Sequence, residues 1–151
     1  MLLLKCVATW APGAKGEKMA DQISLDAQIV DCVADALICA DRCGVIVRWN
    51  RSSHSLFGYS AEEALGRNLD LIIPEHLRNA HWKGFDAAIK TGAMKLQGRP
   101  TLTRALHKSG RKLYVEMTFA LVNDANGEVL GSVAMARDVT ERVESERGAR
   151  K

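Results

Sequence analysis

The segment PEHLRNAHWKGFDAAIKTG, residues 74–92, carries the residue best suited to chemistry in this chain. Pro74 and Glu75 are helix openers and Gly92 is a helix stop, so the spacing predicts a helix from Glu75 to Lys90. On that helix Leu77, His81, Gly84 and Ala88 recur at intervals of four, three and four and share one face. His81 is the only side chain of that face with a lone pair to offer, and a neutral imidazole can bind a metal through one nitrogen. Gly84 has no side chain; its helix-propensity cost of about 1 kcal/mol would be offset by a flat body lying against the helix. A histidine on an apolar helix face also serves as an ordinary hydrogen-bonded core residue, and the residues alone leave both roles open.

The other candidate donors are less organised. His54, His76 and His107 stand in polar surroundings, where contacts with solvent or backbone are expected. Cys6, Cys32, Cys39 and Cys43 are separated by 26, 7 and 4 residues, none of them the gap of a zinc knuckle or a redox pair, and they read as reduced thiols. Met117 offers a thioether, but a methionine on an alternating strand is first of all a core residue.

These residues must be positioned by a chain of 151 residues with a net charge of +3, room for one domain and short tails. The charge is too small and too evenly spread to mark a nucleic-acid-binding protein. No apolar run is long enough to cross a bilayer, and the leading MLLLKC is too short for a secretory signal. A cytoplasmic protein without a membrane or nucleic-acid partner is expected. Residues 1–20 read as a disordered tail, although Trp10 keeps a membrane contact conceivable. Ile23, Ala27, Val30 and Ala34 predict an amphipathic helix over residues 21–35. ALICADRCGVIVRWN reads as a hairpin turning at 41–44, and SAEEALG as a short helix with a capping box formed by Ser60 and Glu63. After the long helix come strands at 101–106, 112–122 and 128–137. In the second of these, Leu113, Val115, Met117, Phe119 and Leu121 share a face. The class is α+β with a five-stranded antiparallel sheet, short helices and one longer helix on one face, and a helical exit over residues 141–151.

Five pieces in this order resemble a PAS domain, a sensor module of signalling proteins. They are Trp49-Asn50, Leu56-Phe57-Gly58-Tyr59-Ser60, the Glu62-Glu63 pair followed by Gly66, the Lys108-Ser109-Gly110 turn, and Arg137-Asp138-Val139-Thr140-Glu141. The resemblance runs from Ile29 to about Glu144 and implies a sensor domain over residues 36–140. It also implies an exit helix, begun by a cap of Asp138 and Thr140, that leads to an output domain or partner signalling protein.

Within it, Pro74, Leu77, Arg78 and His81 resemble the segment of haem-binding PAS domains that presents the proximal histidine. Those domains belong to oxygen-sensing histidine kinases and cyclic-dinucleotide phosphodiesterases. The resemblance implies haem b held through its iron by His81, with the opposite face open to oxygen, carbon monoxide or a second side chain. Leu77, Gly84, Met117 and Phe119 would line the haem, and Lys95 or Arg99 would meet its propionates. The distal pattern departs from both models: Thr101 stands where the kinases have an arginine, and Arg99 where the phosphodiesterases have a methionine. Redox sensing therefore fits as well as gas binding.

The competing expectation is a cofactor-free PAS module for dimerisation and relay, in which the amphipathic helix pairs with its copy. A light-oxygen-voltage flavin sensor needs a cysteine ahead of the long helix, where GRNLDLII has none. No Ser/His/Asp set, phosphate loop or acidic pair indicates an enzyme.

Overall fold

The computed structural model describes residues 24–96 and 98–150. Ser24 accepts the Ala27 N–H at 3.2 Å and caps helix α1, Leu25–Cys32. The hairpin follows as β1, Ala36–Asp41, and β2, Ile46–Trp49. Its turn is closed by Asp41, whose Oδ1 accepts the N–H groups of Cys43 and Val45. Three short helical pieces lead away from the sheet: α2, Arg51–Phe57, α3, Ala61–Ala64, and a 3₁₀ turn at Leu69–Leu71. Both halves of the Ser60–Glu63 capping box are formed. Helix α4 spans Glu75–Thr91, and Gly92 ends it in a left-handed conformation. Strands β3, Thr101–Leu106, β4, Lys112–Asn123, and β5, Val129–Asp138, complete the sheet before the exit helix α5, Thr140–Gly148.

The strand order is β2-β1-β5-β4-β3, with every pairing antiparallel. Cross-strand partners share a face, so two rows of the helix-covered side can be read across the sheet. One runs Trp49, Ile38, Ala134, Phe119; the other runs Ala36, Ala136, Met117, Thr101. The centre of this floor is alanine. The helices close over it and bury one apolar cluster that includes Phe57, Ile72, Leu113, Val115 and Met117.

Two flanking elements differ from the sequence expectation. Helix α1 ends at Cys32 rather than reaching residue 35, because Val33 turns to extended backbone and Ala34 lies in a bend. Residues 1–20, Cys6, Trp10 and Ile23 lie outside the described residues. At the exit, Val139 and not Asp138 is the cap of α5, which starts at Thr140 instead of residue 141. Asp138 Oδ1 does accept the Thr140 N–H at 2.9 Å, but the Thr140 hydroxyl is drawn sideways to accept the Tyr114 N–H at 3.0 Å. Asp138 thus holds the first N–H of the helix while Thr140 binds the helix start to β4.

Among the described residues no helix is long and apolar enough to cross a membrane. Among the described residues Cys32 and Cys39 are free thiols.

Candidate functional site

Helix α4 turns Arg78, His81, Trp82, Phe85, Ala88 and Ile89 toward the protein and keeps Leu77 half-buried at the same side. The stripe is therefore centred on 78, 81–82, 85 and 88–89. Gly84 falls on its solvent flank, exposed, with nothing within 4 Å of where a Cβ would stand. The spacing of four, three and four was compatible with this second face too; Trp82, Phe85 and Ile89 are the apolar residues that decide between them.

His81 Nε2 is buried and has no hydrogen-bond partner. Buried polar atoms are nearly always satisfied, so this one is an exception with a chemical meaning: a ring nitrogen beside apolar rings with no protein group to bond to among the described residues. The Trp82 ring stands edge-on to the imidazole at 5.0 Å, and the Phe85 ring stacks beside it at 6.0 Å. Burial holds the imidazole below its ordinary pKa, against a smaller opposing pull from the Asp70 carboxylate. The neutral form, the one that ligates metals, is thereby favoured.

Trp82 is itself pinned. Its Nε1–H donates to Asp70 Oδ1 at 2.8 Å, and its ring fills the space above Gly44 in the β1–β2 turn. Arg78 closes the group: its guanidinium donates to the carbonyls of Ile73 and Asp70 and lies 3.7 Å from the Asp70 carboxylate. Asp70, Trp82 and Gly44 were not among the expected site residues, and Arg78 entered only through the resemblance. The signal available was Trp82 and Arg78 flanking His81 on the helix.

A Cβ at Gly44 would stand 2.2 Å from Trp82 Cη2, and Gly44 has φ +76°. Gly44→Ala is therefore expected to destabilise by about 2–4 kcal/mol, from left-handed strain and overpacking together. All the atoms it meets belong to the benzo ring of the indole, so Trp82→Phe should absorb the steric part. Urea unfolding of the single and double variants checks this; an undiminished Gly44→Ala cost beside Phe at position 82 would contradict it.

The remaining expected site residues divide between the layer and its rim. Met117, buried, and Phe119, half-buried, sit on the helix-covered face of β4, and Thr101 lies directly across from Met117. The Thr101 hydroxyl donates to the Arg99 carbonyl at 3.4 Å. Lys95 and Arg99 are exposed in the α4–β3 loop. His54 and His76 are exposed, while the His107 ring stacks over Gly58 and its Nδ1 accepts the Ser109 N–H at 3.1 Å.

The donor set can be weighed against a haem. Among the described residues no three His, Cys, Asp or Glu side chains gather to hold a bare metal ion. One half-buried, neutral imidazole whose buried Nε2 has no partner among the described residues, set beside the Trp82 and Phe85 rings, suits a group that needs a single protein bond and a flat apolar contact. The residues fit.

The family model for the PAS fold matches residues 30–144. The chain belongs to the PAS family. PAS domains are sensory modules, and several proteins are similar to this one in part of their sequence. An uncharacterized protein of Azorhizobium caulinodans is 32% identical over 149 residues, 95% of this chain and 20% of that protein. The oxygen sensor protein DosP of Escherichia coli is 28% identical over 95 residues, 63% of this chain and 12% of that protein. This PAS domain thus spans a fifth or less of the length of these curated relatives. Among solved structures, the PAS domain of a Colwellia psychrerythraea protein superposes with a TM-score of 0.67 at 26% identity, covering 77% of this chain and 95% of that one.

Proposed function

We propose that this PAS domain binds haem b through His81 and senses a diatomic gas, oxygen or carbon monoxide, or a redox change, passing the signal through α5. The observation that carries the proposal is the buried, partnerless His81 Nε2 on the inward face of α4. The likeness to an oxygen sensor supports it. When bound, haem would supply an iron able to take a diatomic ligand or to change its oxidation state.

The chain's own residues have separate tasks. His81 offers one nitrogen, with the Trp82 and Phe85 rings, themselves in contact at 5.4 Å, packed beside its ring. Met117 and Phe119 form apolar wall, and Thr101 stands at the layer's edge as a hydrogen-bond donor. Lys95 and Arg99, on the loop, are placed to meet carboxylates at the rim. Met117 is one residue of the row that ends at Ala36, and its strand carries Tyr114 and Glu116 toward the exit. There the Tyr114 carbonyl accepts the Val139 N–H at 2.9 Å, and Arg142 pairs with Glu116 at 3.2 Å. A shift of β4 is therefore transmitted to the first turn of α5 through backbone hydrogen bonds. The output would be a domain or partner protein beyond that helix, with no chemistry of the domain's own.

A homodimer is part of this proposal. Helix α1 buries none of its residues and leaves Leu25 70% and Ile29 54% exposed, which is also what a cofactor-free dimerisation module would show. Titration with hemin separates the two. The haem reading expects an intense violet absorption band saturating at one hemin per chain, and shifting on reduction and on addition of carbon monoxide. A protein that takes up no hemin refutes it.

A further inference from the structure

The two edges of the sheet are finished differently. Along β2, Ile46 N–H donates to the Arg67 carbonyl at 2.8 Å and Gly66 N–H to the Ile46 carbonyl at 2.9 Å, so residues 66–68 cover that edge. The other edge strand, β3, is met only at its end, where Leu106 N–H donates away from β4 to the Ile72 carbonyl at 2.9 Å. In an antiparallel strand the backbone groups of alternate residues point the same way. Leu102 and Arg104 therefore also turn their N–H and C=O groups outward, and among the described residues neither finds a backbone partner there. Both residues are exposed, Leu102 by 53%.

This open edge coincides with the most one-sided charge in the chain. Between Asp86 and Glu116 there are seven basic residues and no acidic one, in a protein whose whole net charge is +3. Lys95 and Arg99 precede β3, Arg104 lies within it, and Arg111 and Lys112 follow its turn. The Arg104 guanidinium is held 5.7 Å from the Tyr114 ring centroid, beside the strand.

We propose that the β3 edge is a docking strip for an extended acidic segment of a partner protein, which adds to the sheet as a sixth strand. Main-chain hydrogen bonds to Leu102 and Arg104 would supply affinity, and alternate acidic side chains facing the cations would supply selectivity. Cations on an edge ordinarily deter a further strand. Here they deter basic strands and a second copy of β3, whose Arg104 would bring a like charge against these, while an acidic strand is drawn in. The proposal does not depend on haem.

The test uses the full chain and a fluorescently labelled heptapeptide of alternating Glu and Thr, read by anisotropy, with amide exchange followed at Leu102 and Arg104. Saturable binding that slows exchange at both amides is expected, weakening about tenfold in Arg104→Glu/Lys112→Glu as rim charges reverse. Leu102→Pro removes one outward N–H at an edge position that tolerates proline and leaves the charge unchanged; it should lose binding while its circular dichroism stays that of the parent. Absence of binding, unchanged exchange at Leu102 and Arg104, or full binding by Leu102→Pro overturns the proposal. So does equal or tighter binding of an oligothymidylate or of phosphatidylserine vesicles, either of which would mark a general anion surface.

Discussion

His81→Gly is expected to abolish the hemin absorption band, and free imidazole added to that variant is expected to restore it. The reasoning rests on what the side chain does not do. Its Nε2 accepts no hydrogen bond, so removing it orphans no partner in the core, and the cost to folding is confined to lost ring packing and a helix-propensity penalty of about 1 kcal/mol. The fold should therefore survive the substitution, and the spectrum reports on ligation rather than on unfolding. The space vacated beside the touching Trp82 and Phe85 rings has the size of the imidazole itself, which is why the free base can return to it. An unaltered hemin spectrum in a folded His81→Gly variant would remove His81 from the haem site.

Asn50→Ala is expected to destabilise the domain by about 3–5 kcal/mol, the sum of buried donors left unpaired and a lost helix cap. Asn50 is 2% exposed and every polar atom of its side chain is engaged. Oδ1 accepts the N–H groups of Leu37 and Ser53 and the Ser53 hydroxyl, each at 2.9 Å. Nδ2 donates to the carbonyls of Val30 and Asp35, both at 3.0 Å. One side chain thus ties α1, the α1–β1 link, β1 and α2 together. Since a domain of this kind is stable by only about 5–15 kcal/mol, the variant should sit near its unfolding threshold. Asn50→Asp keeps the acceptor for Leu37 and Ser53 but turns a carboxylate toward two carbonyls, so it should not restore stability. Urea unfolding measures both; a loss below about 1 kcal/mol for Asn50→Ala would mean that water replaces the network.

The elements that carry these sites were legible where local chemistry decides them. Turn residues at 41–44, the capping box at Ser60 and Glu63, the Pro74 opening and Gly92 close of α4, and the alternation from Leu113 to Leu121 each express a short-range rule, and each stands where the residues put it. Asn50 was legible as part of the Trp49-Asn50 piece of the PAS resemblance, but its network was not. Its partners come from residues up to 20 positions away, and no local pattern encodes them.

The inward face of α4 shows the limit most clearly. A period of 3.6 residues admits neighbouring faces, and a glycine at 84 satisfies the spacing as readily as a phenylalanine at 85 satisfies the packing. His81 belongs to both faces, so its inward position was determined by the sequence, as were its helix and the antiparallel sheet opposite. That its Nε2 would be left without a partner, that Trp82 would be pinned between Asp70 and Gly44, and that β3 would keep an open cationic edge were decided only by tertiary structure. Each depends on which distant backbone arrives beside a side chain, and the packing of the whole layer sets those distances.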